Sequence, residues 1–129
     1  MTVDNLLTRI LKFRYKHRKH KRYKARDGLT VVLDRNFPNG DQILDIGMGG
    51  MTFNYIDKGE PLKEKFEIDI CVDGELTIQN AKVKLVSNIE VGDISFQGKS
   101  IRRISVQFLS LTPVQEFDLK ALIKSHALE

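Results

Sequence analysis

From Leu29 to Phe108 the chain alternates apolar and polar residues in short runs, cut by turn residues. A period of two is the mark of a strand with one buried face. Phe66, Ile68, Ile70 and Val72 give the cleanest run, and Asp73-Gly74 directly after them is a hairpin signal. Met51, Phe53 and Tyr55 alternate with Thr52 and Asn54, and Leu29–Leu33 and Gln42–Ile46 read as two further strands. Leu76 and Ile78, then Val83, Leu85, Val86 and Ile89, then Ile101, Ile104, Val106 and Phe108 continue the series. Phe37-Pro38-Asn39-Gly40-Asp41, the loop from Asp57 to Pro61, and Gly92-Asp93 with Gln97-Gly98-Lys99 are the breaks. No helical crossover separates the strands, which disfavours a parallel α/β sheet. The pattern predicts six or seven antiparallel strands in a barrel or sandwich.

Helices are expected at both ends. Val3, Leu6, Leu7, Ile10 and Leu11 recur at helical spacing over residues 3–13. Thr112-Pro113-Val114-Gln115 fits a capping box with proline at the first helical position. Val114, Phe117, Ala121 and Ile123 or Leu122 are the expected apolar stripe of the last helix. Leu128-Glu129 reads as a cloning remnant, and no function is placed on it. A length of 129 residues suits one domain that buries its core without disulfides. No apolar run approaches the ~20 residues of a membrane helix, and the N-terminus lacks a signal-peptide pattern, so a cytoplasmic location is expected.

Charge is concentrated in one place. Residues 12–26 hold nine Lys or Arg and no Asp or Glu, while the rest of the chain carries twelve basic and seventeen acidic residues. The formal charge of +4 is therefore a mildly acidic body with one cationic segment. Such a block points to an anionic partner.

Two motifs carry chemistry. The first is Arg18-Lys19-His20-Lys21-Arg22, with two arginines four apart; Arg22 and Arg26 form an overlapping pair. The guanidinium fork suits bidentate capture of phosphate oxygens and of the O6/N7 edge of guanine. The second is Asp45-Ile46-Gly47-Met48-Gly49-Gly50, read as a turn leaving a strand. Its glycines let backbone approach a ligand closely, and Asp45 can accept hydrogen bonds from a guanine edge. A solvated basic tail and a plain hairpin turn are the bland alternatives. The glycines fit neither a Walker loop nor a dinucleotide fingerprint.

Catalytic and metal chemistry find no support. Cys71 has no partner cysteine and sits in an apolar alternation, as a small buried strand residue would. His17, His20 and His126 supply neither metal-ligand spacing nor a base for a thiol. No catalytic residues, no metal and no cofactor are assigned.

An Arg-x-x-x-Arg segment leading into a β-barrel, with Asp45 to Gly50 following after about one hairpin, resembles the PilZ domain family of cyclic di-GMP receptors, whose second motif is Asp/Asn-x-Ser-x-x-Gly. The resemblance covers about residues 18 to 111 and the closing helix. It implies a split, six- to seven-stranded antiparallel barrel over residues 18–129, preceded by an N-terminal helix and the start of the basic segment over 1–17. It also implies a ligand shell of Arg18, Arg22, Asp45, Gly47 and Gly50, with Arg26 as the alternative to Arg18 in the arginine frame. The family has Ser where this chain has Gly47. One lost hydrogen bond costs about 0.5–1.5 kcal/mol, up to roughly tenfold in affinity. Water can fill part of the gap, so weakened binding is expected. The implied role is a receptor or adaptor that relays cyclic di-GMP to an unknown protein partner. A nucleotide-independent adaptor, with the N-terminal helix as a partner, homodimer or membrane contact, is one alternative. A single-stranded nucleic-acid-binding barrel, with Phe13, Tyr15 and Tyr23 among the cations, is another; the acidic remainder of the chain makes nucleic acid the poorer fit.

Overall fold

Eight strands and one helix make up residues 20–33, 40–57, 61–94 and 99–128, which the computed structural model describes. The helix expected over 3–13 and Arg18 lie outside these residues. The strands are β1 (Arg22–Ala25), β2 (Leu29–Val32), β3 (Asp41–Gly47), β4 (Gly50–Ile56), β5 (Lys65–Val72), β6 (Glu75–Ile94), β7 (Lys99–Phe108) and β8 (Ala127–Leu128); the helix α1 is Pro113–His126. The sheet runs β2-β5-β6-β7-β4-β3 and closes through β2–β3, with every pairing antiparallel. This is a closed six-stranded barrel. β1 is an added strand on β3, and β8 lies outside β1.

The split arises within β3. Its first residues pair with β2, Thr30 opposite Gln42 and Val31 opposite Asp41. Its last residues pair with β1, Arg22 opposite Gly47 and Lys24 opposite Asp45. Between them the β3–β4 register shifts from Ile43 to Asp45. A bulge of this kind bends the strand and re-aims the side chains that follow.

Period-two patterning fills the barrel. Leu29, Val31, Ile43, Ile46, Met51, Phe53, Ile68, Ile70, Val83, Ile104 and Val106 are buried in one cluster. Each large member contributes about 1.5–3 kcal/mol by leaving water. Asp73 and Gly74 both take positive φ (50° and 83°), as a type I′ hairpin requires. Cys71 is buried, as expected of a structural strand residue. Burial, then the nearby Asp69 carboxylate, raise its thiol pKa and so disfavour the thiolate form.

Two expectations are corrected. The runs at Leu76–Ile78 and Val83–Ile89 are one strand, and Gly92-Asp93 lies inside it rather than in a turn. Bulges absorb the breaks in alternation. At one of them Asn80 has a φ of 55°, and Asp69 Oδ1 accepts its backbone N–H at 2.8 Å. The stripe of the last helix is also different. Leu119 and Leu122 are buried, whereas Val114 and Phe117 are 70% and 72% exposed. The capping box sets this phase. Thr112 Oγ1 accepts the Gln115 N–H, and Gln115 Oε1 accepts the Thr112 N–H. Gln115 Nε2 then donates to the Gln79 carbonyl at the β6 bulge. With Gln115 turned to the barrel, positions 119 and 122 follow it inward at helical spacing. Leu128 pairs with Lys24 in the sheet.

Candidate functional site

β1 presents different residues to its two sides. Residues opposite one another in an antiparallel pair share a face. Tyr23 lies opposite the buried Ile46, so it points inward, and Ala25 is buried on the same side. Arg22 and Lys24 therefore point out.

On the outer face the registers line up into two rows. One row is Arg22, Gly47, Gly50 and Gln107, across β1, β3, β4 and β7. The neighbouring row is Lys24, Asp45, Thr52 and Ser105. Arg22 Nη1 donates to Asp45 Oδ1 at 2.8 Å across the rows. The side chains are 16% and 37% exposed. Thr52 Oγ1 and Ser105 Oγ are hydrogen-bonded at 3.2 Å.

The glycines are required by close approach. A Cβ on Gly47 would collide with the Lys21 carbonyl oxygen and sit 3.2 Å from Arg22 Cδ. A Cβ on Gly50 would collide with the Val106 carbonyl oxygen and sit 2.7 Å from Arg22 Nη2. The guanidinium thus lies over a floor that has no side chains. Asp45 and Gly47 belong to the strand, and the turn is Met48-Gly49 alone, which corrects the expectation of a turn starting at Asp45. The Phe108 N–H donates to the Gly49 carbonyl at 2.9 Å and pins that turn to β7.

The structure thus brings Arg22, Asp45, Gly47 and Gly50 together, whereas Arg18 is outside the described residues. Arg26 lies beyond the end of β1, where its backbone N–H donates to His126 and its carbonyl accepts from Gln42 Nε2. It is Arg22 that meets Asp45. Thr52, Ser105 and Gln107 do not stand out in the sequence. They are ordinary outward positions of strands, and only the register places Thr52 and Ser105 in the row of Asp45 and Gln107 in the row of Gly50.

The other side of β1 opens into a cleft of about 410 Å³ against α1. Tyr23 and Ile123 floor it, and His20, Lys21, Lys120 and Lys124 rim it. Lys21 Nζ stands 5.1 Å from the Tyr23 ring centroid. No acidic side chain lines this cleft among the described residues. Among those residues there is also no cluster of three or more metal-ligating side chains, and no helix long and apolar enough to cross a membrane.

No family model and no curated protein matches the sequence. Solved structures do. The PilZ domain of YcgR from Escherichia coli, solved with c-di-GMP, aligns at a TM-score of 0.56 and 20% identity, over 85% of this chain and 91% of that one. YcgR from Escherichia coli in complex with c-di-GMP aligns at 0.55 and 20% identity, over 84% of this chain and 45% of that one. The K. pneumonia MrkH–c-di-GMP complex aligns at 0.58 and 16% identity, over 84% and 51%. The chain spans about half the length of the latter two proteins. The closed barrel, its added strand β1 and the helix that follows are the shared architecture, and the chain has the fold of a PilZ domain.

Proposed function

We propose that this protein is a cyclic di-GMP receptor whose ligand lies on the outer face of β1, β3 and β4. The observation that carries the reading is Arg22 held 2.8 Å from Asp45 above Gly50, on a fold shared with domains solved with c-di-GMP. Both groups can exchange this contact for a ligand's, because the pair is only partly buried and a phosphate or a guanine edge offers charge-assisted hydrogen bonds of the same kind. Arg22 can turn its fork to a phosphate or to the O6/N7 edge of a guanine. Asp45, released, can accept from the guanine N1–H and N2–H₂. The bare floor of Gly47 and Gly50 lets a flat base approach the backbone.

A protein partner would read the change through the C-terminus. β1 is hydrogen-bonded to β8, Lys24 opposite Leu128 and Ala25 opposite Ala127, and the Arg26 N–H donates to His126 at the end of α1. A ligand that shifts β1 therefore acts on α1, whose outer side exposes Val114 and Phe117. Nothing in this role needs catalysis. The nucleic-acid reading loses ground, because Tyr23 faces the inner cleft with Lys21 over its ring and is not a free stacking platform.

Calorimetric titration with cyclic di-GMP tests the proposal. Saturable binding is expected, with a loss of ~30-fold or more on Arg22→Ala, the cost of stripping one side of a charge-assisted contact. No binding at about 100 μM, equivalent to about −5.5 kcal/mol, or an unchanged affinity for Arg22→Ala, would overturn it.

A further inference from the structure

The serine hydroxyl expected by family resemblance at position 47 is absent, and it cannot be restored in this backbone. With β1 paired onto β3, a Cβ at Gly47 collides with the Lys21 carbonyl oxygen. The face nonetheless holds hydroxyls nearby. Asp45 is directly opposite Thr52, and Thr52 is directly opposite Ser105. Neighbouring strands stand about 4.8 Å apart, so Thr52 is one strand and Ser105 two strands from Asp45. Both are half-buried on the outer face, since Met51 and Phe53 beside Thr52, and Ile104 and Val106 beside Ser105, fill the core.

Their mutual bond of 3.2 Å leaves capacity over. Two hydroxyls carry two donors and four acceptor lone pairs; one donor and one acceptor are used between them. One O–H and three lone pairs remain to turn outward. That is what a phosphate oxygen, or a purine edge with both donors and acceptors, requires.

We propose that Thr52 and Ser105 are ligand-contacting residues of the outer face, supplying from β4 and β7 the hydroxyl that β3 cannot carry. The proposal rests on the cyclic di-GMP reading. It extends that site across the barrel and makes the glycine at position 47 a relocation of the contact. The two residues act as one unit, because each orients the hydroxyl of the other.

The test is cyclic di-GMP titration and thermal unfolding of the full chain with Thr52→Val, Thr52→Ser, Ser105→Ala and the Val/Ala double variant. Thr52→Val keeps the side-chain shape and removes the hydroxyl. Each single removal is expected to weaken binding by up to about tenfold, with the double variant losing less than the product of the two. Thr52→Ser, which restores the hydroxyl, is expected to bind as the wild type does. A pair that only braces the sheet would instead lower the melting temperature and leave affinity untouched. Wild-type binding together with Thr52→Val and Ser105→Ala within about twofold of it overturns the hydroxyl claim alone. Failure of the wild type to bind removes the cyclic di-GMP reading and this extension with it. Gly47→Ser is the further control: tighter binding by that variant would also overturn the claim, since it would show that position 47 can take the hydroxyl.

Discussion

The two faces of β1 differ in kind. Outside, a single arginine meets a carboxylate above two glycines, with hydroxyls in the adjoining row. Inside, four basic side chains surround an apolar floor with no acid among the described lining residues. The cations on both sides come largely from one stretch of sequence, in which strand alternation sends Arg22 one way and Tyr23 the other. Positive charge alone attracts any anion and is screened by salt. Selectivity for a guanine needs an acceptor for its N–H groups and a surface on which the base can lie. Only the outer face combines a cation, an acceptor and a bare floor.

The largest expected effect comes from filling that floor. Gly50→Ala sets a methyl against the Val106 carbonyl oxygen and 2.7 Å from Arg22 Nη2. Gly50 joins β3 to β7 inside the closed barrel, so the backbone has little room to give. Overpacking of this kind costs about 1–3 kcal/mol, a fall of roughly 5–10 °C in the unfolding midpoint for a chain of this size. Circular dichroism melts measure it. Wild-type stability in Gly50→Ala would mean that the floor is not a close-packed surface, and the sharpest difference between the two faces would go with it.

Next is the acceptor. Asp45→Asn keeps the shape of the side chain, removes its charge and replaces one of its two acceptor oxygens by an NH₂ donor. One of the two guanine N–H groups would then lose its acceptor. The expected loss in cyclic di-GMP affinity is about 10- to 100-fold, in line with ~1–3 kcal/mol for a correctly matched base edge. Competition by GMP and AMP would sharpen the result, because the wild-type preference for guanine should shrink with Asp45→Asn. An unchanged affinity would make the outer face one more cationic surface, no different in principle from the inner cleft.

The barrel was legible because it is written locally. Alternation at Phe66–Val72 and the Asp73-Gly74 turn need no distant partner to be recognised. β6 was not legible as one strand, because its bulges interrupt the alternation and are set by cross-strand partners such as Asp69. The face of α1 was misread for a related reason. Apolar residues occupy two registers of the helix, and a tertiary bond from Gln115 to Gln79 chooses between them. In the site, Arg22, Asp45 and Gly50 stood out as residue types in a motif. Thr52 and Ser105 did not, since a threonine and a serine 53 positions apart mean nothing until the register joins them. Gly47 carried a signal that was read as a loss. The collision with the Lys21 carbonyl oxygen shows it to be a demand of the added strand.

The smallest expected effect lies on the inner side. Lys120→Ala with Lys124→Ala removes two of the four basic groups around the cleft. Lys120 already spends part of its charge on Glu116 at 3.4 Å, an i, i+4 pair on the exposed side of α1. Neither lysine shares the face of Arg22 and Asp45, so each acts on an outer ligand only through its field. At about 0.15 M salt the Debye length is near 8 Å, and charges acting across the barrel wall are largely screened. The double variant should therefore change cyclic di-GMP affinity by less than about threefold, under ~0.7 kcal/mol. The residual effect should grow as salt is lowered and vanish as it is raised. Titrations at two salt concentrations separate this from direct contact, which would persist in high salt. A loss comparable to that of Arg22→Ala, insensitive to salt, would place the ligand in the cleft and reverse the assignment of the two faces.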